Sequence, residues 1–133
     1  MTVQVGGFLK VASEHKTLPS LISGGDASRH FYVLGTLVLE DIILQYGFGC
    51  QDGGAILIDG AGSKHDASAT LVRATILDSE AFRNGGAVAV RGAGATLLLK
   101  DSVTFERNVA KTGGGGAVYV SRGGHVVVAS HSN

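Results

Sequence analysis

The side chains that could perform chemistry are eleven carboxylates, five histidines and one cysteine, in a chain of 133 residues. Hydrolysis of a polysaccharide needs two carboxylates that face each other across a glycosidic bond. A polysaccharide lyase needs a base beside a cation, or a cluster of carboxylates that binds Ca²⁺. Either chemistry requires acidic residues that lie close together and are free to react.

Two groups of acidic residues are close in sequence. Glu40 and Asp41 are adjacent, and we interpret them as a solvated corner between strands. Asp78, Glu80 and Arg83 form a looser group, which we interpret as a loop after a strand, with a sugar-binding patch as the alternative. No Ser/His/Asp arrangement can be defended from the positions alone. The sequence therefore assigns no catalytic residue.

The histidines are not spaced as metal ligands, because no two of them form HxH or HExxH. We expect a surface or corner position for each of His15, His30, His65, His125 and His131. Cys50 is the single cysteine, which excludes an internal disulfide and a cysteine-based metal cluster. We expect it to be a small, half-buried hydrophobe, with a reactive thiol as the alternative. No metal-binding residue, cofactor-binding residue or cofactor is predicted.

The composition argues against several classes of function. Eleven basic residues are scattered along the chain and matched by eleven acidic ones, which argues against nucleic-acid binding. No apolar run approaches the roughly 18–20 residues of a membrane helix, so no membrane span is expected in this segment. Residues 1–7 show no signal-peptide pattern. Glycine is abundant, at 21 residues, but a single proline is not the composition of a disordered chain.

One short stretch occurs three times and determines the fold prediction. It reads Gly-Gly-Ala followed by alternating β-branched residues at 53–58, 85–90 and 115–120, so the steps are 32 and 30 residues. The two glycines permit positive φ and close backbone approach at a sharp corner. Alternate residues of the following strand share one face, and we expect the β-branched face to be buried and the variable face exposed. The buried set is Ile56, Ile58, Val88, Val90, Val118 and Val120, and the exposed set is Leu57, Ala89 and Tyr119.

Two further strands are predicted in each unit, and no helical apolar stripe is present. Counting back from the glycines aligns the inward positions of three units, and all of these positions are apolar. They are Leu37, Leu39, Ile42 and Leu44; then Ala69, Leu71, Ala74 and Ile76; then Leu97, Leu99, Val103 and Phe105, with one extra residue at 100–102. The sequence thus predicts an all-β parallel β-helix, a solenoid of about four coils of roughly 30 residues with three short strands per coil.

We expect residues 1–133 to form a single β-helix domain, with a degenerate N-terminal coil at 1–29 and regular coils at 30–129. The polar stretch 13–20, which contains Pro19, is predicted to be a loop, and the segment 59–68 is predicted to bulge outward. Neither end shows a recognisable polar cap. We therefore expect a fragment of a longer solenoid, or a protomer that meets another β-helix segment end to end.

The alignment also predicts columns of stacked polar side chains. Opposite charges that face each other on neighbouring strands are favourable by about 0.2–1 kcal/mol. The predicted columns are Asp59 with Arg91, Asp41 with Arg73 and Asp101, and Asp52 with Asn84.

The last copy carries a family resemblance. Phe105-Glu106-Arg107-Asn108, followed by Gly115-Gly116-Ala117-Val118, resembles the FxxN…GGA[IV] repeat of the chlamydial polymorphic outer membrane proteins, within the pectin-lyase-like superfamily. The similarity covers residues 21–120, and in the middle copy Phe82 and Asn84 stand only two apart. The resemblance implies right-handed coiling. It also implies an extracellular or cell-surface location within a longer passenger protein.

We expect a non-catalytic repeat module of a surface or secreted protein, structural or adhesive, because stacked repeats present long exposed sheets suited to binding. The expected partners are surface glycans or another β-helix segment that meets this one end to end. The superfamily implies an alternative, a fragment of a polysaccharide-active β-helix enzyme of the pectate-lyase, polygalacturonase or epimerase type. A third interpretation is an ice-binding face, but such a face needs rows of outward-facing threonine side chains. The outward columns are too mixed for it, since they read Val38, Thr70, Leu98 and Ile43, Thr75, Thr104.

Overall fold

Parallel strands stack along the whole described chain in the computed structural model, which describes residues 1–13, 20–60 and 66–129. These residues contain seventeen strands and no helix. In chain order the strands are β1 (Thr2–Val3), β2 (Phe8–Ala12), β3 (Ser20–Ser23), β4 (Phe31–Val33), β5 (Thr36–Glu40), β6 (Ile42–Gln45), β7 (Phe48–Gly49), β8 (Ile56–Asp59), β9 (Ala67–Val72), β10 (Thr75–Leu77), β11 (Glu80–Ala81), β12 (Val88–Arg91), β13 (Ala95–Lys100), β14 (Thr104–Glu106), β15 (Val109–Ala110), β16 (Val118–Ser121) and β17 (His125–Ala129).

The strands form four parallel sheets in the orders β1-β4-β8-β12-β16, β2-β5-β9-β13-β17, β3-β6-β10-β14 and β7-β11-β15. Each strand therefore pairs with its counterpart one coil away. Val88 lies opposite Ile56 on one side and Val118 on the other, at the steps given by the glycine pairs. Parallel pairing needs a long connection between strands, and here the rest of the coil supplies it. The predicted all-β solenoid of about four coils is confirmed.

A fourth, very short strand completes three of the coils, in addition to the three strands predicted for each. It is β7, β11 or β15, and Glu80 of β11 lies opposite Phe48 of β7 and Val109 of β15. Two residues are too few to show an alternating pattern, so periodicity could not reveal this strand.

The corner between β13 and β14 holds the extra residue predicted from the alignment. Asp101 and Ser102 both have positive φ, 56° and 69°, whereas the equivalent corner of the preceding coil has one such residue, Arg73, at 47°. The insertion is absorbed in the corner, because Leu99 still lies opposite Leu71 in the adjoining strands. The inward positions therefore remain in file from coil to coil.

The interior of the solenoid consists of files, that is, columns of aliphatic side chains that stack from coil to coil. Ile56, Ile58, Val88 and Val90 are completely buried, as predicted. Further along the same file, Val118 is half-buried and packs against the core. The prediction that Val120 is buried was wrong, since its exposed fraction is 42%. It lies in β16, an edge strand of its sheet, so no neighbouring strand covers its open side.

The outward face of the first sheet is covered, which corrects the sequence analysis. Leu57 and Ala89 were expected to be exposed but are buried, and Tyr119 is half-buried. The cause is the glycine corner, which folds back over this face. A Cβ atom on Gly53 would lie 3.2 Å from the Cα of Leu57, and one on Gly85 would lie 3.2 Å from the Cα of Ala89.

The two glycines of each pair have different roles. The first has positive φ in every copy, with values of 73° at Gly53, 67° at Gly85 and 67° at Gly115. The second lies where neighbouring coils approach closely, since a Cβ atom on Gly86 would collide with the carbonyl oxygen of Gly116 and lie 2.5 Å from the amide nitrogen of Val109. Glycine avoids the steric cost in both situations.

Some sequence predictions fall outside the described residues. These are most of the predicted 13–20 loop with Pro19, the centre of the predicted 59–68 loop, the tail after Ala129, and the positions of His15, His65 and His131. Ser68 was placed in the second loop, but β9 already begins at Ala67. No helix in the described ranges has the length and apolar character needed to span a membrane.

Candidate functional site

Three polar columns run along the outside of the solenoid, and each links side chains of neighbouring coils. The first column lies at the corner between the second and third sheets. Arg73 Nε donates to Asp41 Oδ1 at 2.8 Å, and its Nη2 donates to Glu40 Oε1 at 3.0 Å. Arg73 Nη1 also lies 3.6 Å from Asp101 Oδ2, so the predicted column of alternating charge is confirmed. Lys10 Nζ extends it, 3.1 Å from Glu40 Oε2.

The Glu40–Asp41 corner is not solvated as expected. Asp41 adopts φ 55° at the turn, and its exposed fraction is 5%. The corner geometry directs its carboxylate toward the arginine of the next coil, where charge-assisted hydrogen bonds replace the hydration that it loses. Glu40 is half-buried beside it.

The second column lies at the corner that follows the third sheet. Arg107 Nε donates to Asp78 Oδ1 at 2.8 Å, and Gln45 Nε2 donates to Asp78 Oδ2 at 3.4 Å. The sequence analysis grouped Asp78 with Arg83, but the cation that Asp78 meets comes from the next coil. The loop interpretation of this group is also revised, because Glu80 belongs to strand β11 and pairs with Lys111 at 3.1 Å.

The third column lies on the outward face of the first sheet. Arg91 Nη2 donates to Asp59 Oδ2 at 2.7 Å, and the hydroxyl of Tyr32 donates to the same oxygen at 2.9 Å. Asn84 Nδ2 donates to Asp52 Oδ1 at 3.1 Å. The Asp59–Arg91 pair and the Asp52–Asn84 pair were predicted from the alignment and are confirmed.

The pairing favours the ionised form of two carboxylates, those of Asp78 and Glu40. Hydrogen bonds from Arg107 lower the pKa of Asp78, and a hydrogen bond from Lys10 lowers the pKa of Glu40. The arginines respond in the opposite direction, because the hydrogen bonds that they donate to Asp59 and Asp78 raise the pKa values of Arg91 and Arg107. A general acid of a glycosidase needs a raised pKa. The pKa values of Asp78 and Glu40 are shifted in the opposite direction.

No group of three or more histidine, cysteine or acidic residues within 1–13, 20–60 and 66–129 could hold a metal ion. Cys50 is exposed, which corrects the expectation of a half-buried position. His125 lies on the exposed side of β17, as expected. His30 does not, since its exposed fraction is 8%.

His30 is a buried histidine that the sequence analysis missed. The register that places Phe31 opposite Ile56 puts His30 in the column of Ala55, which is completely buried. Its Nε2 lies 3.0 Å from the carbonyl oxygen of Ile22, while its buried Nδ1 has no hydrogen-bond partner among the described residues. Burial lowers the pKa of His30, so the imidazole is neutral at pH 7. The alanine that stands in the same column one coil later, Ala55, was the sequence signal that could have revealed the burial of His30.

Asn108 bridges two coils and was also missed. Its Oδ1 accepts from the amide of Ser79 at 3.0 Å, and its Nδ2 donates to the carbonyl oxygen of Ile76 at 2.9 Å. Ser79 occupies the same column one coil earlier, and its hydroxyl accepts from the amide of Gly47 at 3.1 Å. The counterpart of Asn108 in the middle coil is therefore Ser79.

Phe82 and Asn84 are consequently not a shortened version of Phe105 and Asn108. The position of Phe105 is filled by Ile76 in the middle coil, because these two residues lie opposite each other in β14 and β10. Asn84 belongs instead to the glycine corner, where its Oδ1 accepts from the amide of Gly114 at 2.9 Å.

Parallel coils that share interior files and polar columns define this protein as a β-solenoid of stacked repeats. Residues 102–121 match the family model described as the Chlamydia polymorphic membrane protein repeat. The match spans β14, β15 and β16, and so includes Phe105, Asn108 and the last glycine pair. The resemblance seen in these residues is confirmed. Comparisons with curated proteins and with solved structures find no match.

Proposed function

We propose that this chain is a non-catalytic β-helix repeat module of a surface or secreted protein, with a structural and adhesive role and with surface glycans as its partners. The observation that carries the proposal is the use of the clustered carboxylates. Glu40, Asp41, Asp78 and Glu80 each contact a lysine or arginine, and all four contacts join neighbouring coils. The acidic groups that could have served catalysis are thus employed in holding the stack together.

The surface location is supported by the family match. The matched repeat is described as that of a membrane protein of Chlamydia. A solenoid also suits this setting, because stacked repeats present extended faces for binding.

The first test separates this function from the polysaccharide-active alternative. The purified chain is incubated with polygalacturonate and alginate, with and without Ca²⁺, and the release of unsaturated and reducing sugar ends is measured. We expect no release above the buffer rate. Clear release that is abolished by Asp78→Ala, and retained by Asp26→Ala at an exposed turn, would identify an enzyme and overturn the proposal.

The second test concerns adhesion. The labelled chain is applied to an array of surface glycans and to intact cells, and bound label is compared with that of a heat-unfolded sample. We expect saturable binding that needs the folded solenoid. If folded and unfolded samples bind equally, or neither binds, the adhesive role is refuted.

A further inference from the structure

Arg29 stands apart from the other arginines that link coils. Its Nε donates to the carbonyl oxygen of Gly53 at 2.8 Å, and its Nη2 donates to the carbonyl oxygen of Asp52 at 2.6 Å. These bonds fix the guanidinium against the glycine corner of the next coil. They use two of its five N–H donors.

The other inter-coil arginines each contact a carboxylate. Arg73 pairs with Asp41, Arg91 with Asp59, and Arg107 with Asp78. Among the described residues, Arg29 donates hydrogen bonds only to carbonyl oxygens. The nearby carboxylate of Asp52 accepts from Asn84 and lies 3.9 Å from Arg91.

Arg29 is half-buried. Burial is the main cause that lowers the pKa of Arg29, while the neighbouring Cys50, Tyr32 and Asp52 act in the opposite direction. An arginine nevertheless stays protonated at pH 7. A partly buried cation without a direct counterion is costly. An anion that reached the free N–H donors of Arg29 would remove much of that cost.

A pocket of about 250 Å³ lies beside Arg29. Its other walls come from Ala27 and Ser28 before β4, and from Phe48, Gly49 and Cys50 in and after β7. The lining residues thus include an arginine, a serine and a phenylalanine. Pockets for drug-sized ligands measure about 300–1,000 Å³, so this one suits a single group of monosaccharide size.

We propose that this pocket, here called the Arg29 pocket, binds an acidic sugar, with the carboxylate on the Arg29 guanidinium and the ring against Phe48. Arginine presents paired N–H donors that match the two oxygens of a carboxylate. The side chain is already held in place by two backbone carbonyls, so little ordering is required on binding. This inference rests on the proposed function and gives it a ligand class.

The test is a titration of the whole ¹⁵N-labelled chain, followed by NMR, at constant ionic strength. The probes are galacturonate, galactose, which has the same ring without the carboxylate, and acetate, which has the carboxylate without the ring. We expect galacturonate to bind in the roughly millimolar range, as for a small ligand with few contacts. Shifts are expected at the Arg29 side chain and at the amides of Phe48 and Cys50. Galactose and acetate are expected to bind at least tenfold more weakly.

Variants make the assignment specific. Arg29→Gln is expected to weaken galacturonate binding about tenfold or more, because the charge and the paired donors are lost. Arg29→Lys is expected to give a smaller loss, since it keeps the charge. Arg122→Gln, which changes an exposed arginine on the turn before β17, serves as the control and should bind as the unchanged chain does.

Several results would overturn the proposal. Galacturonate shifts that map away from Arg29 and Phe48 would do so even if Arg29→Gln failed to fold, because that mapping uses the unchanged chain. Equal affinity for acetate and galacturonate would refute the sugar assignment. Failure here is distinguishable from failure of the proposed function. Surface adhesion without galacturonate binding would refute the Arg29 pocket alone, whereas galacturonate binding without surface adhesion would refute the adhesive role alone.

Discussion

Gly86 lies where the backbones of two coils touch, and it shows how single residues determine whether the coils can stack. A Cβ atom there would meet the carbonyl oxygen of Gly116 and the amide of Val109. Gly116 occupies the same column one coil later, yet a Cβ atom on it would approach only the carbonyl oxygen of Asn108, at 3.4 Å. Two glycines in equivalent places thus differ in the space around them.

Gly86→Ala is expected to lower the free energy of unfolding by about 2–3 kcal/mol, because the backbone on both sides must shift to admit the methyl group. Urea unfolding followed by circular dichroism measures the change. Gly116→Ala is the matched control and is expected to change stability by about 0.5 kcal/mol or less. Equal losses in the two variants would show that the coils do not approach at Gly86.

His30 gives the first coil a pH-sensitive attachment. In the unfolded chain its pKa is about 6.5, and burial lowers that pKa in the folded chain. Between the two values the unfolded state binds a proton that the folded state does not. The free energy of unfolding therefore falls as the pH is lowered from about 6.5 toward the folded pKa, by up to about 1.4 kcal/mol per pH unit.

His30→Gln is expected to remove this part of the pH dependence, whereas His125→Gln, at an exposed position, should retain it. Unfolding free energies between pH 7.5 and 5 provide the comparison. Glu40 and Asp78 contribute separately at lower pH, since their stabilisation is lost only as the pH falls below the ordinary carboxylate range. If the unfolding free energy of His30→Gln depends on pH as that of the unchanged chain does, the pH-sensitive role of His30 is refuted.

At the scale of strands and corners, side chains tie each coil to the one before it. Asn108 satisfies the carbonyl oxygen of Ile76 in β10 and the amide of Ser79 at the corner that follows this strand. Ser79 does the same for the amide of Gly47 with a shorter side chain. The asparagine of the matched repeat therefore has a structural reason to be present.

Asn108→Ala is expected to cost about 1–3 kcal/mol of stability, because a buried amide and a carbonyl lose their partners. Asn108→Ser should retain part of the stability, since serine fills this column one coil earlier. Thermal and urea unfolding give the values, with Thr104→Ala on the exposed side of β14 as the control. A loss no greater than that of the control would contradict the bridging role.

Strand register was predictable from the sequence, because the same inward positions are apolar in three units. Polar columns follow from register, which is why Asp59 with Arg91 could be expected. The same alignment also places Arg107 beside Asp78, since Glu106 lies opposite Leu77. The covered outward face was not predictable, because the path of a glycine corner over Leu57 depends on backbone angles that residue types alone do not specify.

At the scale of the whole molecule, the outermost described strands leave apolar residues at inward positions incompletely buried. Val128 occupies an inward position of β17, opposite Leu99, yet its exposed fraction is 74%. On the other side, Leu9 and Ile22 occupy inward positions of the outermost strands β2 and β3 and are only half-buried. Unpaired strand edges of this kind favour pairing with another chain.

We propose that a second copy of this chain covers these strands end to end. The weight-average mass is expected to rise with protein concentration in light-scattering measurements. Val128→Lys should reduce the increase, because it places a charge in the contact, whereas Thr75→Lys in the middle of the third sheet should not. A constant monomeric mass, or equal effects of the two substitutions, would refute end-to-end association.

The central claim is that residues about one coil apart in sequence lie side by side, and a cysteine cross-link tests it most directly. In a Cys50→Ser background, Thr70→Cys with Leu98→Cys places two thiols on adjacent paired positions of β9 and β13. Parallel neighbours are about 4.8 Å apart, within the reach of a disulfide. Val38→Cys with Leu98→Cys places the thiols two strands apart. The account predicts rapid oxidation of the first pair and none of the second, and oxidation of both at equal rates, or of the second alone, would contradict it.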